Sequence, residues 1–176
     1  MTTSKGSPSR RTSLALCCMV VWATCLTARA SSPDPATPPT LHYPSPVAAQ
    51  CYTSPFGWRH RVGPMAPAGF HNGIDLPAPA GGLVRAPISG TVSRIKRMGI
   101  GGLQVYVVHP GGLTTLYAHL GSVVPALAEG RSRLAAGDPI GRIARTGVTY
   151  GTHLFFAVFA NGRAIDPNLL LQLPAC

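Results

Sequence analysis

Glycine and proline interrupt this chain at short intervals, and this limits the elements that it can form. The 176 residues include 20 glycines and 18 prolines, whereas only 11% of the residues are charged. Neither glycine nor proline suits the interior of a helix, because glycine is too flexible and proline lacks the amide donor. Short strands joined by tight turns accommodate both. The composition therefore favours a mainly β fold over a helical bundle.

Short runs rich in β-branched and aromatic residues predict the strands of this fold. They occupy residues 83–86, 90–95, 104–108, 113–117 and 153–158. Gly111-Gly112 separates two of these runs and predicts a hairpin turn. The stretch 123–136 is the one helix-like segment, and Pro125 and Gly130 weaken it. We expect mainly antiparallel sheets from this pattern.

The first 30 residues have the pattern of an export signal. A basic start at residues 5–11 precedes an apolar run over 13–26 and a small-x-small cleavage site at 28–30. The apolar run is shorter than the ~20 residues of a membrane span. An uncleaved anchor helix is the alternative. We predict a signal peptide over 1–30 and no stable membrane span after its removal.

Residues 31–50 are dense in proline and lack a periodic apolar pattern, which predicts an extended linker before a β domain over 51–176. Removal of the signal peptide leaves 11 basic and 5 acidic residues, a formal charge of +6. A basic exported protein is attracted to anionic surfaces such as cell-wall polymers and lipid head groups. We expect no nucleic-acid partner, because the sequence has no aromatic-and-basic motif of a nucleic-acid module.

Two cysteines, Cys51 and Cys176, remain in the mature chain and lie at the two ends of the β domain. An oxidising compartment permits a disulfide between them. Two unpaired thiols are the alternative, because the sequence does not show that the ends of the domain meet. We expect the mature protein to be periplasmic or extracellular.

Three short segments carry the residue types of a metal-dependent site. His71 and Asp75 are four positions apart after a turn-rich loop, and both are zinc ligand types. His119 ends a predicted strand, where a side chain can point into a groove. His153 opens another strand and shares a face with Phe155, because side chains alternate across a strand. Each motif by itself is more typical of surface residues than of a site.

Taken together in chain order, these segments resemble the M23 (lysostaphin-like) family of zinc peptidases, which cut peptidoglycan. The resemblance rests on SPFGWR at 54–59, FHNGID at 70–75, LVRAPISGTV at 83–92, LTTLYAHL at 113–120, DPIG at 138–141, TG at 146–147 and NGRAIDP at 161–167. It implies a mainly β domain of the duplicated-hybrid-motif type, in which antiparallel sheets form an open groove. It also implies that His71 and Asp75 are zinc ligands and that His119 and His153 are the catalytic histidines.

The sequence departs from the family at the last motif, which is usually His-Leu-His-Phe-Glu. Residues 153–157 are His-Leu-Phe-Phe-Ala, so Phe155 stands at the third zinc-ligand position and Ala157 at the acidic position. Phenylalanine has no electron pair to donate, and a catalytic zinc typically has three protein ligands. We therefore expect zinc to bind weakly or not at all, except where another side chain replaces the third ligand.

The resemblance and its departure together predict an exported peptidoglycan protein whose hydrolytic activity is weak or lost. Two alternatives remain open, an active zinc-dependent endopeptidase and a non-catalytic activator of cell-wall amidases. Peptidoglycan is the expected partner, and an amidase is a second partner under the last alternative. We expect the other histidines, His42, His60 and His109, at the surface.

Overall fold

The computed structural model describes residues 42–61 and 68–176, so the predicted signal peptide and residues 31–41 of the predicted linker lie outside the described part. The strands are β1 (Gly57–Arg59), β2 (Gly69–His71), β3 (Ile74–Pro77), β4 (Leu83–Arg85), β5 (Gly90–Arg97), β6 (Leu103–Val108), β7 (Leu113–Val123), β8 (Arg133–Leu134), β9 (Pro139–Ile143), β10 (His153–Ala160) and β11 (Arg163–Ile165). The helices are α1 (Pro125–Ala128) and α2 (Asn168–Leu171). Neither helix in this part of the chain has the length and apolar character needed to span a membrane.

One sheet of nine strands forms most of the fold. Its hydrogen-bonded path runs β11, β10, β7, β6, β5 and β8, while β3 pairs with β10, and β9 pairs with both β4 and β7. A separate hairpin is formed by β1 and β2. All of these strand pairs are antiparallel, so the mainly β, antiparallel fold predicted from the sequence is confirmed.

The five predicted strands correspond to β4, β5, β6, β7 and β10. Gly111 and Gly112, with φ values of 77° and 78°, lie in the turn between β6 and β7, where a side chain would strain the backbone. The helix-like stretch 123–136 is mostly not helical. Only Pro125–Ala128 forms a helix, because Gly130 turns the chain away at φ 101° and the following residues pair as β8.

Side chains of β3 and β10 alternate between the core and the opposite, groove-facing side. Four of them are almost completely buried: Ile74, Leu76, Leu154 and Phe156. The positions between them, Asp75 and Phe155, are directly opposite each other in the paired strands. Burial of the apolar set therefore fixes the register that brings the other two side chains together.

Residues 42–50, which the composition places in the linker, pack against the β domain. Val47 and Ala49 are buried in the core, and the backbone amide of Tyr43 donates a hydrogen bond to the carbonyl of Leu170 at 2.9 Å. Because Val47 and Ala49 stand in a proline-rich segment without a periodic apolar pattern, the sequence does not reveal that they are buried.

A disulfide joins the two ends of the β domain. Cys51 and Cys176 are 125 positions apart in the chain, and their Cα atoms are 5.1 Å apart. Of the two alternatives that the sequence left open, the structure has the bonded pair.

Candidate active site

A groove of about 550 Å³ lies over the part of β10 that is flanked by β3 and β7. It is lined by all five residues that the sequence indicates for a site: His71, Asp75, His119, His153 and Phe155. Phe155 is paired with Asp75 on one side and with Ala118 on the other. The strand register therefore brings together positions that are 80 and 37 residues apart in the sequence.

The carboxylate of Asp75 lies at the centre of this cluster. Its Oδ1 atom is 3.4 Å from His71 Nε2 and 3.5 Å from His153 Nε2, and its Oδ2 atom is 3.7 Å from Arg59 Nη1. Burial raises the pKa of Asp75, but the hydrogen bond with His71 and the charges of His153, His71 and Arg59 outweigh this and hold the pKa below its usual value. Asp75 is therefore an ionised carboxylate at neutral pH.

The imidazole of His71 is oriented by the segment before β1. Its Nδ1 atom is 2.8 Å from the carbonyl oxygen of Pro55 and 3.4 Å from Ser54 Oγ. A carbonyl oxygen can only accept, so Nδ1 carries the proton in this arrangement. When the ring carries both protons, Nε2 donates to Asp75 Oδ1, and in the neutral ring the electron pair of Nε2 faces that oxygen instead.

The sequence predicted His119 at the end of a strand. The structure places it at a bulge within β7 instead. Ala118 and His119 together oppose the single residue Gln104 of β6, and His119 has a φ of 64°. Its Nδ1 atom donates to the carbonyl oxygen of Thr146 at 2.8 Å. A bulge changes the direction of a side chain relative to a regular strand, and the side chain of His119 at this bulge lines the groove.

His153 is oriented by a threonine in the loop before β10. The hydroxyl of Thr149 donates to the carbonyl of Gly151, so its oxygen accepts from His153 Nδ1 at 3.2 Å. Burial lowers the pKa of His153, and the nearby charge of Asp75 offsets only part of this effect. The neutral ring is therefore favoured, with the Nε2 electron pair facing Asp75.

Phe155 places an apolar ring among these polar groups. The ring centroid is 5.3 Å from that of His71 and 6.3 Å from that of His119. Gly73 makes room for it, because a Cβ atom on this glycine would lie 2.8 Å from two ring carbons. The resemblance assigns a third zinc ligand to this position, which a phenyl ring cannot provide.

The donor set does not fit the three-ligand zinc centre that the resemblance implies. His71 and Asp75 are together, but their expected partner is Phe155. Within residues 42–61 and 68–176, no group of three or more histidine, cysteine, aspartate or glutamate side chains is arranged to hold a metal ion.

The remaining histidines do not supply the missing donor. His42 and His60 are exposed, as expected. His109 is buried, so its predicted surface location is wrong; its ring nitrogens are bonded to the carbonyl of Ser89 and to Thr115 Oγ1, each at 2.8 Å. Both nitrogens are thus occupied within the fold.

Several residues that orient the site were not identified from the sequence as its partners: Pro55, Arg59, Thr146 and Thr149. Three of them lie in the segments that carry the family resemblance, which is the only signal that the sequence offers. The contact of Pro55 with His71 joins positions 16 residues apart, and that of Thr146 with His119 joins positions 27 residues apart. Such contacts depend on how the loops fold.

The walls of the groove combine cationic and apolar side chains. Lys96 Nζ lies 5.1 Å from the centroid of the Tyr106 ring, and both residues line the groove. Phe70, Ile100 and Tyr150 also line it and are largely exposed. This surface can contact a ligand that carries both carboxylates and apolar groups.

Comparisons with known proteins agree with this architecture. The family model of peptidase family M23 matches residues 69–167. The DD-carboxypeptidase/endopeptidase Mpg of Neisseria meningitidis serogroup B is 34% identical over 123 residues, which are 69% of this chain and 27% of that protein. The peptidoglycan DD-endopeptidase ShyC of Vibrio cholerae is 31% identical over 104 residues, covering 59% of this chain and 23% of ShyC.

The solved structure of a zinc-containing peptidase from Vibrio cholerae matches with a TM-score of 0.60 and 26% identity, over 70% of this chain and 37% of that one. This chain spans only about a quarter of the length of the curated relatives it matches.

Proposed function

This chain belongs to peptidase family M23, and from that premise we propose an exported protein that binds peptidoglycan and hydrolyses it weakly or not at all. One observation carries the proposal. Phe155, which has no electron pair for a metal, lies opposite Asp75 with its ring against that of His71. The peptidase scaffold is therefore combined with an incomplete set of metal ligands.

Weak hydrolysis follows from what a catalytic zinc requires. Three protein ligands hold the ion, and a fourth position is left for a water whose pKa the ion lowers to about 7. His71 and Asp75 alone provide two donors. If His153 becomes the third donor, its imidazole is no longer available for the proton transfers that peptide hydrolysis needs. Either arrangement removes one part of the catalytic machinery.

Binding does not need the missing donor. The groove offers Lys96 and exposed aromatic side chains to a peptide that carries carboxylates and methyl groups. The formal charge of +6 after loss of residues 1–30 favours approach to an anionic wall. The Cys51–Cys176 disulfide supports export, because such bonds persist in oxidising compartments.

The test compares the wild-type protein with Phe155→His and Phe155→Leu in three measurements: co-sedimentation with isolated sacculi, bound zinc, and release of soluble muropeptides. We expect wild type to co-sediment and to release little. Phe155→His should raise both zinc content and release by at least about tenfold, because the imidazole restores a donor. Phe155→Leu is the matched control and should raise neither.

Three outcomes would contradict the proposal or favour one of its alternatives. Release by the wild type that a chelator abolishes would indicate the active endopeptidase instead. An unchanged zinc content in Phe155→His would show that position 155 is not a ligand position. Release that rises only after a purified amidase is added would indicate the amidase-activating alternative.

A further inference from the structure

We propose that Lys96 binds a carboxylate of the peptide that occupies the groove, and that this contact selects acidic peptides over neutral ones. Lys96 lies on β5 and lines the groove, whereas Asp75 lies on β3, with three strands between them. The inference rests on the proposed function, because it concerns the same groove. It names the chemical group of peptidoglycan that the groove recognises.

The strand register places Lys96 in the same row across the sheet as the candidate active site. Phe155 of β10 pairs with Ala118 of β7. Ala118 faces Gln104 of β6 across the bulge, and Gln104 pairs with Lys96. Adjacent strands lie about 4.7–4.9 Å apart, so the Cα atoms of Phe155 and Lys96 are roughly 14 Å apart. An extended peptide of about four residues, lying across the strands, covers that distance.

The side chain of Lys96 lies over an aromatic ring that is itself fixed. Its Nζ atom is 5.1 Å from the centroid of the Tyr106 ring, within the roughly 6 Å of a cation–π contact. The Tyr106 hydroxyl donates to Gln104 Oε1 at 3.1 Å, and the buried Gln104 amide donates to the carbonyl of Met98 at 3.0 Å. The ring and the ammonium group are therefore oriented before a ligand binds, which lowers the entropic cost of binding.

The charge of Lys96 is not neutralised by the described part of the chain. Arg94 pairs with Tyr106 across the two strands, and its guanidinium carbon is 5.8 Å from the same ring centroid. Arg94 and Lys96 are two positions apart, so both cations lie on one face of β5. Among residues 42–61 and 68–176, neither of them forms an ion pair with a carboxylate. An anionic ligand offsets the repulsion between these like charges.

The surroundings of Lys96 favour a peptide carboxylate over a phosphate-bearing polymer. A lysine ammonium is a point charge that binds either anion, so the neighbouring surface decides between them. Met98 and Ile100 line the groove and are largely exposed. Apolar side chains of a peptide can remove this surface from water, whereas a chain of phosphodiester groups cannot.

The test measures co-sedimentation of the full chain with two preparations of isolated sacculi. One is untreated, and in the other the carboxylates are converted to amides with a carbodiimide and ammonia. Lys96→Met should weaken binding to untreated sacculi by about fivefold, because the side chain keeps its length and loses its charge. On amidated sacculi, this variant and wild type should agree within about twofold. Lys96→Arg keeps the charge and should stay within about twofold of wild type on both.

Arg163→Gln is the matched control for the loss of one positive charge. Arg163 is exposed, and Ala164 rather than Arg163 lies opposite the groove-lining Phe159 in the β10–β11 pair. Side chains alternate across a strand, so Arg163 is on the other face of the sheet. This variant should stay within about twofold of wild type on untreated sacculi. Lys96→Gln is a second neutral variant, and thermal unfolding shows whether each variant folds.

Failure of this inference can be distinguished from failure of the proposed function. Wild-type co-sedimentation that Lys96→Met and Lys96→Gln weaken no more than Arg163→Gln does would overturn the role of Lys96 and leave the wall-binding proposal in place. Binding that depends on Lys96 but persists on amidated sacculi, and that excess inorganic phosphate abolishes, would overturn the carboxylate in favour of a phosphate ligand. Chelator-sensitive hydrolysis by the wild type would overturn the proposed function, and the Lys96 variants would still decide what the groove recognises. No co-sedimentation of the wild type would overturn both.

Discussion

The contact between Gly73 and Phe155 explains how a large apolar ring fits among polar side chains. A Cβ atom on Gly73 would lie 2.8 Å from two ring carbons of Phe155 and 2.5 Å from the carbonyl oxygen of Phe156. The second neighbour is backbone and cannot move by itself. We expect Gly73→Ala to lower the free energy of unfolding by about 1–3 kcal/mol, as measured by urea denaturation.

Gly69 provides the matched control, because its added Cβ would meet no atom within 4 Å. We expect Gly69→Ala to change stability by no more than about 0.5 kcal/mol. Removing the ring with Phe155→Ala should recover only part of the Gly73→Ala loss, since the Phe156 carbonyl stays in place. Equal stability of Gly73→Ala and wild type would contradict the close packing at this position.

For the single residues of the groove, the sequence indicated which side chains take part but not which groups orient them. Spacing and resemblance singled out His71, Asp75, His119 and His153, and the fold brings all of them to one groove. The acceptors of their Nδ1 protons are backbone carbonyls and a loop threonine. A carbonyl is present at every residue, so no residue type marks the ones that become acceptors.

The bulge of β7 is the irregular element that shapes the site. His119 has a φ of 64°, in the left-handed region that glycine adopts without strain. We expect His119→Gly to be more stable than His119→Ala by about 0.5–1 kcal/mol, because alanine keeps the strain and glycine relieves it. Both variants lose the bond to Thr146, so their difference in urea denaturation isolates the backbone term.

At Thr114 in the same strand, we expect the opposite order of stability for the glycine and alanine variants. It lies in the regular β7–β10 pairing and has no positive φ, so alanine should be more stable than glycine there. If alanine were also the better residue at position 119, β7 would relax to a regular strand without the imidazole.

Strands of six or more residues were more predictable than most of the shorter ones. β5, β6, β7 and β10 each contain a run of β-branched and aromatic residues, which the sequence revealed. β8 has only two residues, Arg133 and Leu134, and it exists because it pairs with β5 across the sheet. Such strands are defined by their register with a partner rather than by propensity. The predicted helix-like stretch 123–136 was too long for the same reason, because its later residues Arg133 and Leu134 form β8 by pairing with β5.

Across the whole molecule, the joined ends of the domain also support the site. Cys51 is four positions before Pro55, whose carbonyl orients His71. Between them, the amide of Thr53 donates to the carbonyl of Asp75 at 2.9 Å, and the amide of Asp75 donates to the carbonyl of Ser54 at 3.0 Å. The disulfide thus holds one end of the segment that connects the chain terminus to two of the site residues.

We therefore expect replacement of Cys51 and Cys176 by serine to affect both stability and the site. Loss of a crosslink between positions 125 apart should lower the free energy of unfolding by on the order of 4–5 kcal/mol, according to the chain-entropy relation. Urea denaturation measures this, and reduced wild type is the control that should match the variant. The Nδ1 proton of His71 should also exchange faster with solvent, whereas that of His119, held by Thr146, should not. A stability loss below about 1 kcal/mol with unchanged exchange at His71 would mean that the ends are held together by their backbone bonds, such as that from Cys176 to Tyr52.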